Sequence, residues 1–184
     1  MADAGAAAGR PRTARGGPGG AAPLRRRLGP RIRRGALAAA LADLDYFRDI
    51  FAEGQGAAAR TVYRLLLPMA RGLVRKGNSI TPESVVDGER ATREGLDFVA
   101  TQSAATGYLV GDAFSVADLT AAAMLAMAVD PPDSTMARPR PMSAPLREWI
   151  ERWGTHAGAD WVREIYARHR AKGRDRDGEH RYPA

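Results

Sequence analysis

Residues 111–132 read GDAFSVADLTAAAMLAMAVDPP. Ser115 stands where a helix N-cap belongs and Asp118 follows three residues later. In that spacing the serine hydroxyl can accept the Asp118 amide while the Asp118 carboxylate reaches back to the Ser115 amide. Phe114 precedes the cap and Leu119 occupies the fourth helical position, the spacing of a hydrophobic staple. The helix that follows, Val116–Val129, is apolar nearly all round, which predicts a buried helix at the centre of its domain. Its alanines let neighbours come close, and Pro131 and Pro132 stop it. Asp118 also invites a reading as a catalytic carboxylate. It has no partner acid at a useful spacing and its cap geometry already occupies it, so a structural role is expected.

The flanking segments read as helices too. Residues 35–51, GALAAALADLDYFRDIF, carry Leu37, Leu41, Leu44 and Phe47 at intervals of three and four, with Ile50 and Phe51 extending the stripe. Gly54 and Gly56 interrupt it before a second apolar stretch at 57–70, in which Pro68 predicts an end or a kink near Leu67. The two stretches fit either one long bent helix or two helices. KGNSIT at 76–81 is loop by composition. Thr81-Pro82-Glu83 then opens a helix, with Thr81 as cap, Pro82 in the first position and Glu83 at the positive dipole end. That helix is expected to reach about Gln102, weakened by Gly88 and Gly95. After a loop at 133–145 come two short amphipathic helices. Leu146, Trp149, Ile150 and Trp153 mark one; Trp161, Val162, Ile165 and Tyr166 mark the other. These aromatics are expected to lock the last helices onto the core, with a ligand-pocket role for one or two as the alternative. No segment argues for a sheet, so the expected fold class is all-α, a helical bundle.

Composition narrows the chemistry. The 184 residues, 45% of them hydrophobic, suffice for one ordinary domain. There is no cysteine, which removes disulfides, thiolate nucleophiles, zinc–thiolate sites and iron–sulfur clusters. The three histidines, His156, His169 and His180, sit in no metal-binding motif, and no metal is expected. No run approaches the roughly 18 apolar residues of a membrane helix, so no membrane partner is expected and the setting is read as cytoplasmic. Dinucleotide, P-loop, nucleophile-elbow and H-E-x-x-H motifs are all missing.

The net charge of +7 is unevenly spread. Residues 1–35 hold nine arginines against the single acid Asp3, so the basic character belongs to this leader. Its first 23 residues are almost entirely Ala, Gly, Pro and Arg, too poor in apolar side chains to offset ordering entropy, and disorder is expected over residues 1–35. A nucleic-acid arm, a targeting peptide and a plain extension or misplaced start all fit the arginines. Arginine here lacks interleaved aromatics, so no nucleic-acid partner is expected. The charged end of the chain, 172–184, is expected to fray.

Residues 108–132 closely resemble the helical C-terminal domain of bacterial glutathione S-transferases. That family opens the central helix of this domain with a G-x-x-[FY]-[ST]-x-A-D motif, matched here by Gly111, Phe114, Ser115, Ala117 and Asp118. The segment PLREWIERW at 145–153 resembles the family's next helix. The resemblance spans 36–171 and implies conjugation of glutathione, as co-substrate, to a small electrophile. It also implies that residues early in the first long helix, Tyr46, Arg60, Tyr63 and Arg64, face a glutathione-binding domain. Arg60 and Tyr63 are then candidates to orient glutathione or line the second pocket; the alternative is an exposed Arg and a half-buried Tyr. The family's thioredoxin-like domain, which supplies the thiolate-stabilising residue, has no counterpart in the leader. A truncated chain of weak or no conjugating activity is therefore expected, an enzyme by resemblance only. The alternative is a non-catalytic helical module for protein binding or self-association.

Overall fold

The computed structural model describes residues 26–52, 56, 61–62, 66, 71–132, 134 and 138–170. Six helices are delimited among them: α1 Gly29–Leu41, α2 Leu44–Ala52, α3 Pro82–Ser103, α4 Val116–Val129, α5 Ala144–Glu151 and α6 Ala157–His169. Residues 71–77 are also helical, and the described residues contain no strand. The chain is an all-α helical bundle.

Local chemistry explains the helix starts. Thr81 caps α3 from an extended conformation; its Oγ1 accepts the Ser84 amide at 3.2 Å and its own amide donates to Ser84 Oγ at 2.9 Å. The α1–α2 break falls inside the stripe expected to run unbroken over 35–51. Asp43 causes it: its Oδ1 accepts the Tyr46 amide at 3.0 Å and its carbonyl the Phe47 amide at 3.0 Å. A short acid competes well with the helix backbone and starts a new helix two residues after the old one ends.

At the other end, α1 corrects the leader boundary. Residues 29–35 were expected to be disordered, yet they are helical, with Ile32 fully buried and Gly35 packed under the Trp149 ring. Pro30 at the helix start and the burial of Ile32 outweigh the arginine-rich composition, whose charges point away or find acids. Arg31 donates to both carboxylate oxygens of Asp87, at 2.7 and 2.6 Å, and to Glu94 at 3.2 Å. The rest of the leader up to residue 25 and the tail at 172–184 lie outside the described residues.

α1 packs on α3, α4 and α5, while α6 packs on α3 and α4. Two glycines make this possible. A Cβ on Gly88 would lie 2.8 Å from the Arg31 carbonyl and 2.9 Å from the Gly35 amide; one on Gly158 would strike the Leu96 backbone. The helix-weakening Gly88 thus marks a close crossing of α1 and α3, where the lost propensity is offset by backbone contact. The core gathers Ile32, Leu96, Val99, Leu125, Val162 and all three tryptophans. Trp149 and Trp153 meet edge to face with centroids 5.8 Å apart, and Trp161 Nε1 donates to the Gly107 carbonyl at 3.0 Å. The tryptophans anchor the last helices to the core, as their spacing implied.

One expectation for α4 needs correction. Ala121, Ala122, Leu125, Ala126, Ala128 and Val129 are buried, but Val116 is 75% and Leu119 57% exposed, and Ala123 is exposed as well. The neighbours α1, α3, α5 and α6 cover only one side of the helix. An apolar composition all round sets no limit on which face meets water; the number of neighbours does.

Candidate functional site

The start of α4 is built as its sequence implied, with one addition. Ser115 is extended (φ −130°, ψ 171°) and a capping box links it to Asp118. Asp118 is fully buried. One of its oxygens accepts the Ser115 amide at 2.9 Å and the Ser115 hydroxyl at 2.6 Å. The other reaches further back and accepts the Leu109 amide at 2.8 Å. Every oxygen of this buried carboxylate is thereby used to hold the chain, which is the condition for burying it without its pairing with a cation.

The loop that delivers Phe114 is tied at several further points. Thr106 Oγ1 lies 2.7 Å from the Gly111 carbonyl and 3.2 Å from that of Tyr108. Gly107 (φ 80°) and Gly111 (φ 68°) take the left-handed turns that an L side chain resists. Trp161 grips the Gly107 carbonyl from α6, so the loop is fastened to the bundle.

Phe114 and Leu119, the expected staple pair, are 38% and 57% exposed. Phe114 stacks on the His169 imidazole, with ring centroids 4.1 Å apart and planes tilted by 16°. His169 in turn lies 3.3 Å from the Tyr108 hydroxyl through Nε2. Phe114 and Leu119 open onto a shared cleft of about 230 Å³ between α4 and the end of α6. Its floor and walls are Ala122, Ala123, Ile165 and Tyr166, with His169 and Arg170 at the α6 end. The Arg170 guanidinium sits 5.7 Å from the Tyr166 ring centroid, a cation–π contact. Burial pushes the Tyr166 phenol above its usual range, opposed by Arg170. Among the described residues, no carboxylate lines the cleft. Neither periodicity nor motif pointed to this cleft, since His169 and Arg170 follow Phe114 by more than fifty residues.

At the opposite end of α4, Asp130 adopts a left-handed conformation (φ 50°) and its amide closes on the Ala126 carbonyl at 3.0 Å. Arg138, whose side chain is 5% exposed, folds under this end. Its Nη2 donates to the Met127 carbonyl at 3.0 Å and its Nε lies 3.3 Å from Asp130. Burial lowers the Arg138 pKa, and Asp130 and Tyr46 partly restore it. A cation at the negative end of a helix dipole is favourable, and here it also meets the terminal carbonyls directly.

Tyr46 was expected to face a partner domain. It is instead buried, 6% exposed, within the main core and in the field of Arg138. Its place on the inward side of α2 follows from the new helix register that Asp43 sets. Arg60, Tyr63 and Arg64 lie outside the described residues. Among the described residues, no three His, Asp or Glu side chains converge as a metal site, and no helix is long and apolar enough to cross a membrane. No family model matches the chain, and neither the curated proteins nor the solved structures contain a match to it.

Proposed function

We propose that this chain is a glutathione S-transferase-like helical domain that contributes binding surface rather than thiol-activating chemistry. The observation that carries the reading is the Gly111–Leu119 segment. Its G-x-x-F-S-x-A-D pattern coincides with a working capping box at the head of an apolar helix in an all-helical bundle. Conjugation of glutathione needs a donor aimed at the sulfur to lower its pKa, plus an apolar wall for the electrophile. The cleft beside α4 fits the second requirement. Asp118, a buried acid near it in sequence, is engaged in three hydrogen bonds that hold the chain. In this reading Arg60 and Tyr63 are the candidates to contact glutathione, in a cytoplasmic setting. The test incubates the full chain with glutathione and an aryl halide, beside a complete transferase as positive control. Turnover at the level of the buffer blank is expected; turnover comparable to the control overturns the reading.

A second reading, a helical module for protein binding or self-association, is favoured by the exposed apolar side chains Val116, Leu119, Val86 and Leu73. Sedimentation together with glutathione–agarose capture separates the two. Retention on the resin supports the transferase-like reading, and self-association without retention supports the module.

A further inference from the structure

We infer that the cleft between α4 and the end of α6 is a binding site for a small, flat, apolar carboxylate, such as an aromatic acid. The cleft is the one that the transferase-like reading uses as its apolar wall, but the ligand inferred here and its test involve neither glutathione nor any of Tyr46, Arg60 and Tyr63, so the two fail separately.

Size, lining and charge agree on this class. A volume of about 230 Å³ is enough for one or two fused rings. Ala122, Ala123, Leu119 and Ile165 offer an aliphatic surface, and Phe114 and Tyr166 offer aromatic rings. Phe114 and Leu119 remain substantially exposed at the mouth, so a ring seated there removes from water apolar area that the fold leaves wet. An unsubstituted inorganic anion would gain nothing from these walls.

Arg170 defines the polar end of the ligand. It makes a cation–π contact with Tyr166 and has no ion pair among the described residues. Arg31, Arg48, Arg90, Arg152, Arg163 and Arg168 hold a carboxylate, whereas Arg33, Arg34 and Arg93, like Arg170, hold none among the described residues. What sets Arg170 apart is its place at the rim of an apolar cleft that no acid among the described residues lines. Its planar fork can take both oxygens of a carboxylate while the ring attached to it lies on Ala122, Ala123 and Ile165.

The site is also held in shape before any ligand arrives. Its walls stand on two helices, and the segment bearing Phe114 is pinned by Asp118, Thr106 and Trp161. Preorganisation of this kind reduces the ordering cost of binding.

The test is an amide-resolved NMR titration of the full 184-residue chain with 2-naphthoate, and with 2-naphthylmethanol as its neutral counterpart. Saturable shifts are expected at Phe114, Leu119, Ala123, His169 and Arg170, with the acid binding more tightly than the alcohol. Arg170→Gln, at an accessible helix end, should weaken 2-naphthoate about tenfold, the loss of one charged hydrogen-bonding partner, and leave the alcohol unchanged. Ala123→Leu, on the exposed side of α4, should fill the floor and weaken both ligands while the dispersed spectrum is retained. Absence of saturable shifts in the wild-type chain overturns the assignment. So do shifts centred away from the cleft, or equal affinity of wild type and Arg170→Gln for the acid.

Discussion

The Asp118 carboxylate holds the amide of Leu109, nine residues earlier, at 2.8 Å while its other oxygen caps its own helix at Ser115. One buried acid therefore joins the loop that precedes α4 to the first turn of α4. The loop positions Phe114, and Phe114 forms one wall of the cleft, so helix capping and cleft shape depend on the same side chain.

Asp118→Ala should be the most damaging substitution at this end of the helix. It strands the part-buried amides of Leu109 and Ser115 together, and an unsatisfied donor costs about 1–3 kcal/mol where fully buried, less where water reaches it. A loss of about 2–4 kcal/mol is expected, against about 1 kcal/mol for Ser115→Ala. Urea unfolding of both variants checks this, read as a lower midpoint at unchanged slope. A loss for Asp118→Ala no larger than that for Ser115→Ala would contradict the double role.

Gly158→Ala should destabilise the protein although alanine is the better helix former. The added methyl meets the Leu96 backbone, which cannot yield as a side chain can. Overpacking of this kind costs about 1–3 kcal/mol and outweighs the gain of nearly 1 kcal/mol in propensity. Thermal melts of the variant should fall below wild type, whereas Gly72→Ala, where nothing lies within 4 Å of the new methyl, should not fall.

Arg138 and Arg140 both approach Asp130, at 3.3 and 2.8 Å, but in different surroundings. Arg138→Met removes a buried cation from the α4 carbonyls and should cost about 2–4 kcal/mol. Arg140, 67% exposed, should cost under about 1 kcal/mol when replaced by Ala. Chemical denaturation of the two variants measures the difference, and equal losses would show that Arg138 acts only as a surface ion.

The Asp87 carboxyl is held well below the usual carboxylate range, first by its hydrogen bonds from Arg31 and then by those from Arg90. A depressed folded-state pKa gives stability that is present above the unfolded value near pH 4 and lost as pH falls below it. Asp87→Asn should therefore be less stable than wild type at pH 7, by about 1 kcal/mol for a partly exposed pair. The gap should close progressively as the pH falls from about 4. Paired unfolding curves at pH 7 and at about pH 2.5 test the trend, and a gap that widens in acid would refute it.

Helix starts were legible wherever the determining groups lie within one turn of each other. Thr81 and Ser115 announce α3 and α4 because a cap and its partner are three residues apart. The same holds for Pro131 and Pro132 after α4. The break at Asp43 was equally local, but an unbroken apolar stripe outvoted a single acid. The start of α1 was hidden for the opposite reason: Ile32 is one apolar residue among arginines, and only its neighbours reveal that it is buried. The helical content, the tryptophan anchors and the cap at Asp118 belong to the sequence alone, because periodicity and capping are short-range properties. Which face of α4 stays wet, how Arg138 returns beneath its end, and the meeting of Phe114 with His169 and Arg170 were decided by tertiary packing. Those contacts join residues that only the closing of the bundle brings together, and no local pattern encodes how many neighbours a helix will have.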